Sequence, residues 1–159
     1  PYKNHLMLLD ICSMITTKKK WKLILIGANV KGFKNIIIDK VKNLGLEKKI
    51  IFFEANKNIQ KFYEKIDFAI STSSEEGSSN FLLESISLGL PIIAYDVGGN
   101  NEFFKNNGFL IPAFDIVLMK KAIESMLNMN INAFRKNSIK ICKIKFDNTK
   151  TLNKYYSFY

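Results

Sequence analysis

The sequence contains few of the residues that define several protein classes. Its 159 residues include 2 Cys, 3 Pro and 8 Gly, which excludes a disulfide-stapled scaffold and a collagen-like chain. No apolar run approaches the roughly 20 residues of a membrane span, and the first residues do not have the pattern of a signal peptide. Cys12 and Cys142 lie far apart in the sequence, which predicts two free thiols in a reducing, cytoplasmic compartment.

Arginine is almost absent, although the chain is basic. There are 24 Lys and Arg against 14 Asp and Glu, a formal charge of +10, and all but Arg135 of the basic residues are Lys. Because Arg supplies the planar fork that reads base edges, we expect no nucleic-acid partner. The joint abundance of Lys, Ile, Asn and Phe is typical of an AT-rich coding bias. The lysine run 18–20 could instead contact acidic lipid, which leaves a peripheral membrane contact open.

Short, continuously apolar runs alternate with amphipathic stretches, and apolar residues make up 47% of the chain. The pattern predicts helices over 5–17, 33–44, 80–88, 115–128 and 131–143, a short helix around 59–63, and strands over 22–27, 50–53, 68–70, 91–95 and 108–112. Asn4 is the expected cap of the first helix, and Gly45 suits the position that follows the second. This alternation predicts an α/β fold, Rossmann-like, with three α/β/α layers and a mostly parallel sheet.

The loop after Ile70 is the first candidate for a binding site. Ligands of parallel sheets bind beyond the carboxyl ends of the strands, and this polar loop leads directly into a helix. A helix N-terminus favours an anion such as a phosphate. Ser78, Ser79 and Asn80 are each plausible caps, and an ordinary capped helix would produce the same pattern.

Two glutamates add to this loop, Glu76 before the helix and Glu84 on it. Both could face one crevice. Carboxylates repel a phosphate, but they accept hydrogen bonds from hydroxyl groups on either side of it. A nucleotide sugar, with a sugar on each side of a diphosphate, fits this layout. For Glu84, a solvated helix glutamate is the alternative.

A longer motif around these residues resembles the signature of family-four glycosyltransferases, which are retaining enzymes of the GT-B fold. The motif is Ser-x-x-Glu76-Gly77-x-x-Asn80-x-Leu82-Leu83-Glu84-x-x-x-x-Gly89-x-Pro91-x-Ile93-Ala94. The similarity continues in Asp96-Val97-Gly98-Gly99-x-x-Glu102, in 108–112, in 21–27 and in Tyr63-x-x-x-Asp67. It therefore covers most of the chain.

The resemblance implies a role for each matching residue. Glu76 would face the donor sugar, and Lys3 would neutralise the negative charge that builds on the leaving diphosphate; these two are the catalytic candidates. Glu84 would bind the ribose, and the backbone N–H groups of Phe81 and Leu82 would receive the diphosphate. The remaining donor-binding candidates are Gly77, Ser79, Asn80, Gly98 and Gly99. A lysine and a helix terminus would replace a divalent ion, so neither a metal nor a cofactor is expected.

The resemblance also implies that part of the enzyme is missing. Residues 1–145 would form the donor-binding domain, the C-terminal half of a GT-B fold without its first strand, and 146–159 a C-terminal tail or helix. The strand ending in Gly-Arg and the N-terminal acceptor domain are absent, so the chain alone would be inactive. Glu54-Ala55 stands where the family usually has a Gly. We expect Lys3 to lie too near the chain start to be well fixed.

The predicted function is transfer of a sugar, with retention, from a nucleotide sugar, in particular a UDP-sugar. The acceptor would be a cell-envelope glycan or a lipid-linked sugar in a bacterium, and the protein would be cytoplasmic or peripheral on the inner face of the membrane. One alternative is a non-catalytic or degenerate sugar-nucleotide-binding module. Another is a basic domain that binds nucleic acid or membrane. His5, the only histidine, is expected to be a surface or cap-side residue rather than a catalytic base.

Overall fold

The computed structural model describes residues 2–27, 32–53, 63 and 65–146. The helices are α1 His5–Ser13, α2 Phe33–Asn43, α3 Asn80–Ser87, α4 Ile116–Asn128 and α5 Asn132–Lys145, with a short 3-10 helix over Asn100–Phe103. The strands are β1 Leu23–Ile26, β2 Ile50–Phe53, β3 Ala69–Ser71, β4 Ile92–Tyr95 and β5 Gly108–Ile111. The predicted order of elements is confirmed. The predictions for 59–62, for Glu54-Ala55 and for the tail beyond Phe146 fall outside the described residues.

Every strand pair in the described structure is parallel, as predicted. β1 pairs with β2, with Leu23 opposite Ile50. β4 lies between β3 and β5, with Ile92 opposite both Ala69 and Gly108. The strands nevertheless form two sheets, one of two strands and one of three, instead of one continuous sheet. Among the described residues, no backbone ladder joins β1 to β3.

Helices cover both faces of the strands and produce the predicted three layers. On β4, Ile93 and Tyr95 belong to a core cluster with residues of α1, α2 and α4. The alternate residues Ile92 and Ala94 belong to a second cluster with residues of α3 and α5. All four β4 residues are fully buried, and each large apolar side chain removed from water contributes about 1.5–3 kcal/mol.

Two helix ends test the capping predictions. Gly45 follows α2 with φ +64, as a C′ glycine does. Asn4 does stand at the N-terminus of α1, but in the left-handed region, and its side chain makes no capping hydrogen bond. α1 also ends at Ser13, before the predicted 17. Further on, the N–H of Thr16 donates to the carboxylate of Glu124 at 2.8 Å, a bond that replaces an intrahelical one.

Candidate functional site

The candidate site lies at the carboxyl ends of β3 and β4, where the sheet topology predicts it. The loop between β3 and α3 contacts the start of the described chain. The N–H of Ser74 donates to the carbonyl of Tyr2 at 2.8 Å. The hydroxyl of Thr72 donates to the carbonyls of Lys3 and Asn4, at 3.1 and 3.3 Å. These bonds carry Lys3 to the loop that contains Glu76.

Lys3 and Glu76 form an ion pair in which Nζ lies 2.6 Å from Oε1. The carboxylate side chain is 9% exposed and the lysine side chain 39%, so the pair is partly screened from water. The Tyr2 ring also lies against the ammonium, 5.0 Å from its centroid, within the range of a cation–π contact. The expectation that Lys3 is poorly fixed is therefore wrong, because its backbone and its side chain both bind the β3–α3 loop.

Of the three predicted caps, Ser78, Ser79 and Asn80, it is Ser79 that caps α3. Its hydroxyl accepts from the N–H of Leu82 at 3.4 Å, and the residue is 1% exposed. The N–H of Leu82 is thus engaged by the protein. The N–H groups of Asn80 and Phe81 have no acceptor among the described residues, so the helix end retains the partial positive charge that attracts anions. The roles of these residues toward a diphosphate stay predictions.

Gly98 and Gly99 form a turn that presses against the backbone of the β3–α3 loop. A Cβ on Gly98, whose φ is +53, would lie 1.6 Å from the carbonyl oxygen of Glu76. A Cβ on Gly99 would lie 2.5 Å from that of Gly77. Only glycine permits this approach, which sequence reasoning missed. Their predicted contact with the donor sugar stays a prediction.

The two glutamates line different cavities on the two sides of the loop. Glu76, with Gly77 and Gly98, lines a cavity of about 470 Å³. Glu84 lines a larger cavity of about 740 Å³ together with Lys3. Lys3, which lines the larger cavity and pairs with Glu76, connects the two cavities. That both glutamates face one crevice around a bound donor stays a prediction.

His5 and Tyr63 also line the larger cavity. Burial, and to a smaller extent the charge of Lys3, lowers the pKa of His5 below 6.5, so the imidazole is neutral at pH 7. Burial raises the pKa of Tyr63, and the charge of Glu84 raises it further. His5 is partly exposed and is the first residue of α1, which agrees with the predicted surface or cap-side position.

Arg135, the single arginine, is engaged by the protein itself. Its guanidinium donates to the carbonyls of Ile66 and Asp67 at 2.8 and 3.1 Å, which ties α5 to the segment before β3. Both hydrogen bonds come from one terminal nitrogen, Nη2, and the predicted lack of a nucleic-acid partner stays a prediction.

Sequence reasoning also missed three residues that position the site. Tyr2 and Thr72 hold the start of the chain, and Asn100 braces the turn after β4. The Asn100 side chain is fully buried and donates to the carbonyl of Tyr95 at 3.0 Å. An asparagine directly after Gly-Gly is a signal of a turn, whereas nothing in the sequence singles out Tyr2.

Neither a metal site nor a membrane span is present in the described part of the chain. There, no three His, Cys, Asp or Glu side chains come together as metal ligands would, and no helix has both the length and the hydropathy to cross a bilayer. The predicted absence of a metal and of a cofactor in the reaction stays a prediction.

The sequence profile of the family described as Glycosyl transferases group 1 matches residues 1–142. The chain belongs to the group 1 glycosyl transferases. The match covers α1 to α4 and most of α5, and it includes every candidate site residue. The resemblance stated from the sequence motif is thereby confirmed.

Two curated relatives are themselves sugar transferases. One is N-acetylgalactosamine-N,N'-diacetylbacillosaminyl-diphospho-undecaprenol 4-alpha-N-acetylgalactosaminyltransferase of Campylobacter jejuni, 28% identical over 93% of this chain and 40% of its own length. The other is the lipopolysaccharide core biosynthesis mannosyltransferase LpsB of Rhizobium meliloti, 24% identical over 75% of this chain and 36% of its own length. This group 1 chain thus spans well under half the length of these relatives.

Solved structures confirm the fold. A TarM mutant of S. aureus, in complex with fondaparinux, alpha-GlcNAc-glycerol and UDP, superposes with a TM-score of 0.86 at 22% identity, over 99% of this chain and 33% of TarM. Anabaena Alr3699/HepE in complex with UDP superposes with a TM-score of 0.82 at 22% identity, over 99% of this chain and 46% of that protein. This group 1 chain therefore has the Rossmann-like architecture of one part of a GT-B glycosyltransferase.

Proposed function

We propose that this chain binds the nucleotide-sugar donor of a retaining glycosyltransferase, and that the donor is a UDP-sugar. The acceptor of the whole enzyme would be a cell-envelope glycan or a lipid-linked sugar. Membership of the group 1 family supports the activity. The relative named for a diphospho-undecaprenol acceptor and the UDP complexes of two proteins with this fold support the substrates.

One observation carries the proposal: Lys3 lies within 2.6 Å of Glu76, in the loop that ends at the N-terminus of α3. A diphosphate that accepts hydrogen bonds from the N–H groups of Asn80 and Phe81 competes for the same ammonium. On donor binding, Lys3 exchanges the carboxylate for the diphosphate. As the glycosidic bond breaks, negative charge builds on the diphosphate, and the positioned ammonium stabilises it.

The same exchange releases the Glu76 carboxylate. A carboxylate without its cation is a strong acceptor for sugar hydroxyl groups. Glu84 is exposed on α3 and lies at the mouth of the larger cavity near Tyr63. At this position it accepts hydrogen bonds from the ribose hydroxyls of the donor. The two glutamates therefore contact opposite ends of the nucleotide sugar.

The acceptor side of the reaction belongs to the rest of the protein. The chain spans 36–40% of the two curated relatives, and we propose that an N-terminal acceptor domain supplies the acceptor site. The isolated chain then binds donor without transferring it. We also propose a cytoplasmic location with peripheral membrane contact. Candidate contacts are the exposed lysines 18–20 and the exposed apolar residues Phe114, Ile116, Val117 and Leu118.

Calorimetry with UDP tests the donor role. Glu84→Ala should weaken UDP binding by about ten- to hundredfold, because a hydrogen bond to a charged group contributes about 1.5–3 kcal/mol. Glu47→Ala removes the same charge at an exposed position outside both cavities and should leave the affinity unchanged. Equal UDP affinity of both variants and the unaltered chain would contradict the ribose role.

The alternative functions predict different outcomes. A non-catalytic module binds UDP, but the full-length protein then neither transfers the sugar nor hydrolyses the donor. A basic nucleic-acid domain binds duplex DNA in a salt-dependent way and gives no heat with UDP. Sugar transfer by the isolated chain would refute the claim that it lacks the acceptor site.

A further inference from the structure

The start of α4 carries a run of apolar side chains that lie in water. Four residues of the segment 114–118 are apolar and exposed: Phe114, Ile116, Val117 and Leu118. Val117 is the most exposed of them, at 61%. The segment has a fixed shape, because the carboxylate of Asp115 accepts from the N–H of Leu118 at 2.8 Å. Single exposed apolar residues are ordinary, but adjacent ones indicate an interaction surface.

The other end of α4 lies beside a run of three lysines. The segment that follows α1 is bound there. The hydroxyl of Thr17 donates to the side-chain oxygen of Asn128 at 3.2 Å, and Nζ of Lys19 donates to the carbonyl of the same residue at 3.5 Å. Lysines 18–20 are all exposed, so three positive charges stand next to the C-terminal end of the helix.

Glu124, the only acidic residue within α4, is already engaged by the protein. Its carboxylate accepts from the N–H and the hydroxyl of Thr16, at 2.8 and 3.0 Å, and Nζ of Lys120 lies 3.4 Å from it. Within the described part of the chain, no ion pair involves lysines 18–20 or Lys121. This part of the surface therefore keeps a positive charge that the protein does not neutralise.

One side of α4 connects the apolar end with the lysine end. Exposed residues follow each other there at intervals of four, four and three positions: Val117, Lys121, Ser125 and Asn128. They lie on one side of the helix, and the opposite side is buried in the first core cluster. The helix has 13 residues and is about 20 Å long. A flat surface laid along it contacts residues 114–118, Lys121 and lysines 18–20, which together are called the α4 face.

We propose that the α4 face docks on a bilayer that contains anionic phospholipid, with α4 lying along the bilayer surface. The inference rests on the peripheral membrane contact of the proposed function, and it specifies the lipid and the orientation. Clustered lysines attract anionic headgroups, and the apolar end enters the boundary between headgroups and acyl chains. A nucleic acid or an acidic peptide would match the lysines but would leave the apolar end in water.

This orientation brings the candidate donor site toward the bilayer. α4 follows β5, so its apolar end lies at the carboxyl end of the sheet, as the pair of Lys3 and Glu76 does. The end of the molecule that enters the bilayer boundary is therefore the end that carries the site. An acceptor whose sugar is linked to a lipid remains close to the headgroups, and this orientation keeps it within reach of a bound donor.

α5 is the rival surface, because it also carries exposed lysines, at positions 136, 140 and 143. Its exposed apolar residues Ile139 and Ile144 stand singly, as on an ordinary surface helix. α5 packs in the second core cluster, on the opposite face of the sheet from α4. One flat bilayer cannot contact both helices, so the lysines of α5 provide a matched control.

Sedimentation with lipid vesicles tests the α4 face. The chain should bind vesicles of phosphatidylglycerol and phosphatidylcholine more tightly than vesicles of phosphatidylcholine alone, and added KCl should reduce the difference. Replacing Lys18, Lys19 and Lys20 together by Gln should weaken binding to the anionic vesicles by about tenfold to a hundredfold. Val117→Asn should weaken it by about three- to tenfold, because less apolar surface leaves water.

The control replaces the three lysines of α5 by Gln and removes the same charge from the other layer. It should change binding by about twofold at most, because charges far from the bilayer are screened. An equal or larger loss in this control would assign the contact to α5 and overturn the proposal, whereas a peripheral membrane contact would stand. Absence of binding to anionic vesicles, or unchanged binding in both α4-face variants, would overturn it as well.

UDP calorimetry on the same variants keeps this proposal separate from the donor role. None of the substituted residues is a candidate donor contact, so the affinity for UDP should not change. Vesicle binding without UDP binding would contradict the donor role alone, and UDP binding without vesicle binding would contradict the α4 face alone. All substituted side chains are exposed, and if one variant fails to fold, the variant at the other end of the face still decides.

Discussion

The contact of Gly98 with Glu76 makes the sharpest prediction about the site. In Gly98→Ala, the new methyl carbon would lie 1.6 Å from the carbonyl oxygen of Glu76, whereas a carbon and an oxygen in contact are about 3.3 Å apart. The loop would therefore have to move by more than about 1.5 Å. Such a movement displaces the Glu76 carboxylate from Lys3.

Two contributions determine the cost of this substitution. Alanine in the left-handed region, where Gly98 has φ +53, costs about 1–2 kcal/mol. Forcing an additional methyl group into a packed contact costs about 1–3 kcal/mol. We therefore expect the free energy of unfolding to decrease by about 2–5 kcal/mol, a large part of the roughly 5–15 kcal/mol of a typical domain. Movement of the loop lowers this loss, but it weakens UDP binding instead.

Urea unfolding and UDP calorimetry together measure both effects. Gly77→Ala is the matched control for stability, because no atom lies within 4 Å of its added Cβ and its φ is not positive; its free energy of unfolding should change by less than about 0.5 kcal/mol. If Gly98→Ala is as stable as this control and binds UDP as the unaltered chain does, the close contact does not exist and the reasoning is refuted.

Two further substitutions test the cap of α3 and the environment of His5. Ser79→Ala should lower the free energy of unfolding by about 1 kcal/mol, because the Leu82 N–H loses its partner, whereas Ser78→Ala at the exposed neighbour should have little effect; equal losses in thermal unfolding would contradict the cap. Burial lowers the pKa of His5 below 6.5, so as the pH falls the imidazole takes up a proton in the unfolded chain before it does so in the folded chain. The free energy of unfolding therefore decreases as the pH drops from 6.5 through the lower folded pKa. His5→Asn should remove this part of the pH dependence below 6.5. If the free energy of unfolding in urea changes with pH in the same way for both proteins, the buried imidazole is contradicted.

Local sequence patterns were sufficient to predict the elements of this fold. The apolar run that forms β4 follows Gly89 and Pro91, which end the preceding helix, and the strand was predicted within a residue of its observed bounds. Gly45 was likewise predicted from its position after an amphipathic run. These features depend on neighbours in the chain, which the sequence displays directly.

Features that depend on distant residues were not predictable in the same way. α1 ends early, and just beyond it Thr16 binds Glu124, 108 residues away. The apolar pattern of β1 predicts a buried strand, yet the strand is only partly buried, because burial depends on which strands lie beside it. The contact of Gly98 with Glu76 has the same origin: the Gly-Gly pair indicates a turn, but not the backbone that the turn contacts.

The ion pair between Lys3 and Glu76 extends this reasoning to the site itself. Both residues were predicted to contact the donor, although they stand 73 residues apart, and their mutual contact was not predicted. A site built to bind a diphosphate beside sugar hydroxyls holds a cation and a carboxylate close together, and opposite charges at this distance pair when no ligand separates them. If the proposed donor binds here, it has to break this pair, and its affinity is then lowered by the free energy of the pair. When a sequence predicts a cation and a carboxylate at the same ligand site, it therefore also predicts an ion pair that the ligand has to displace.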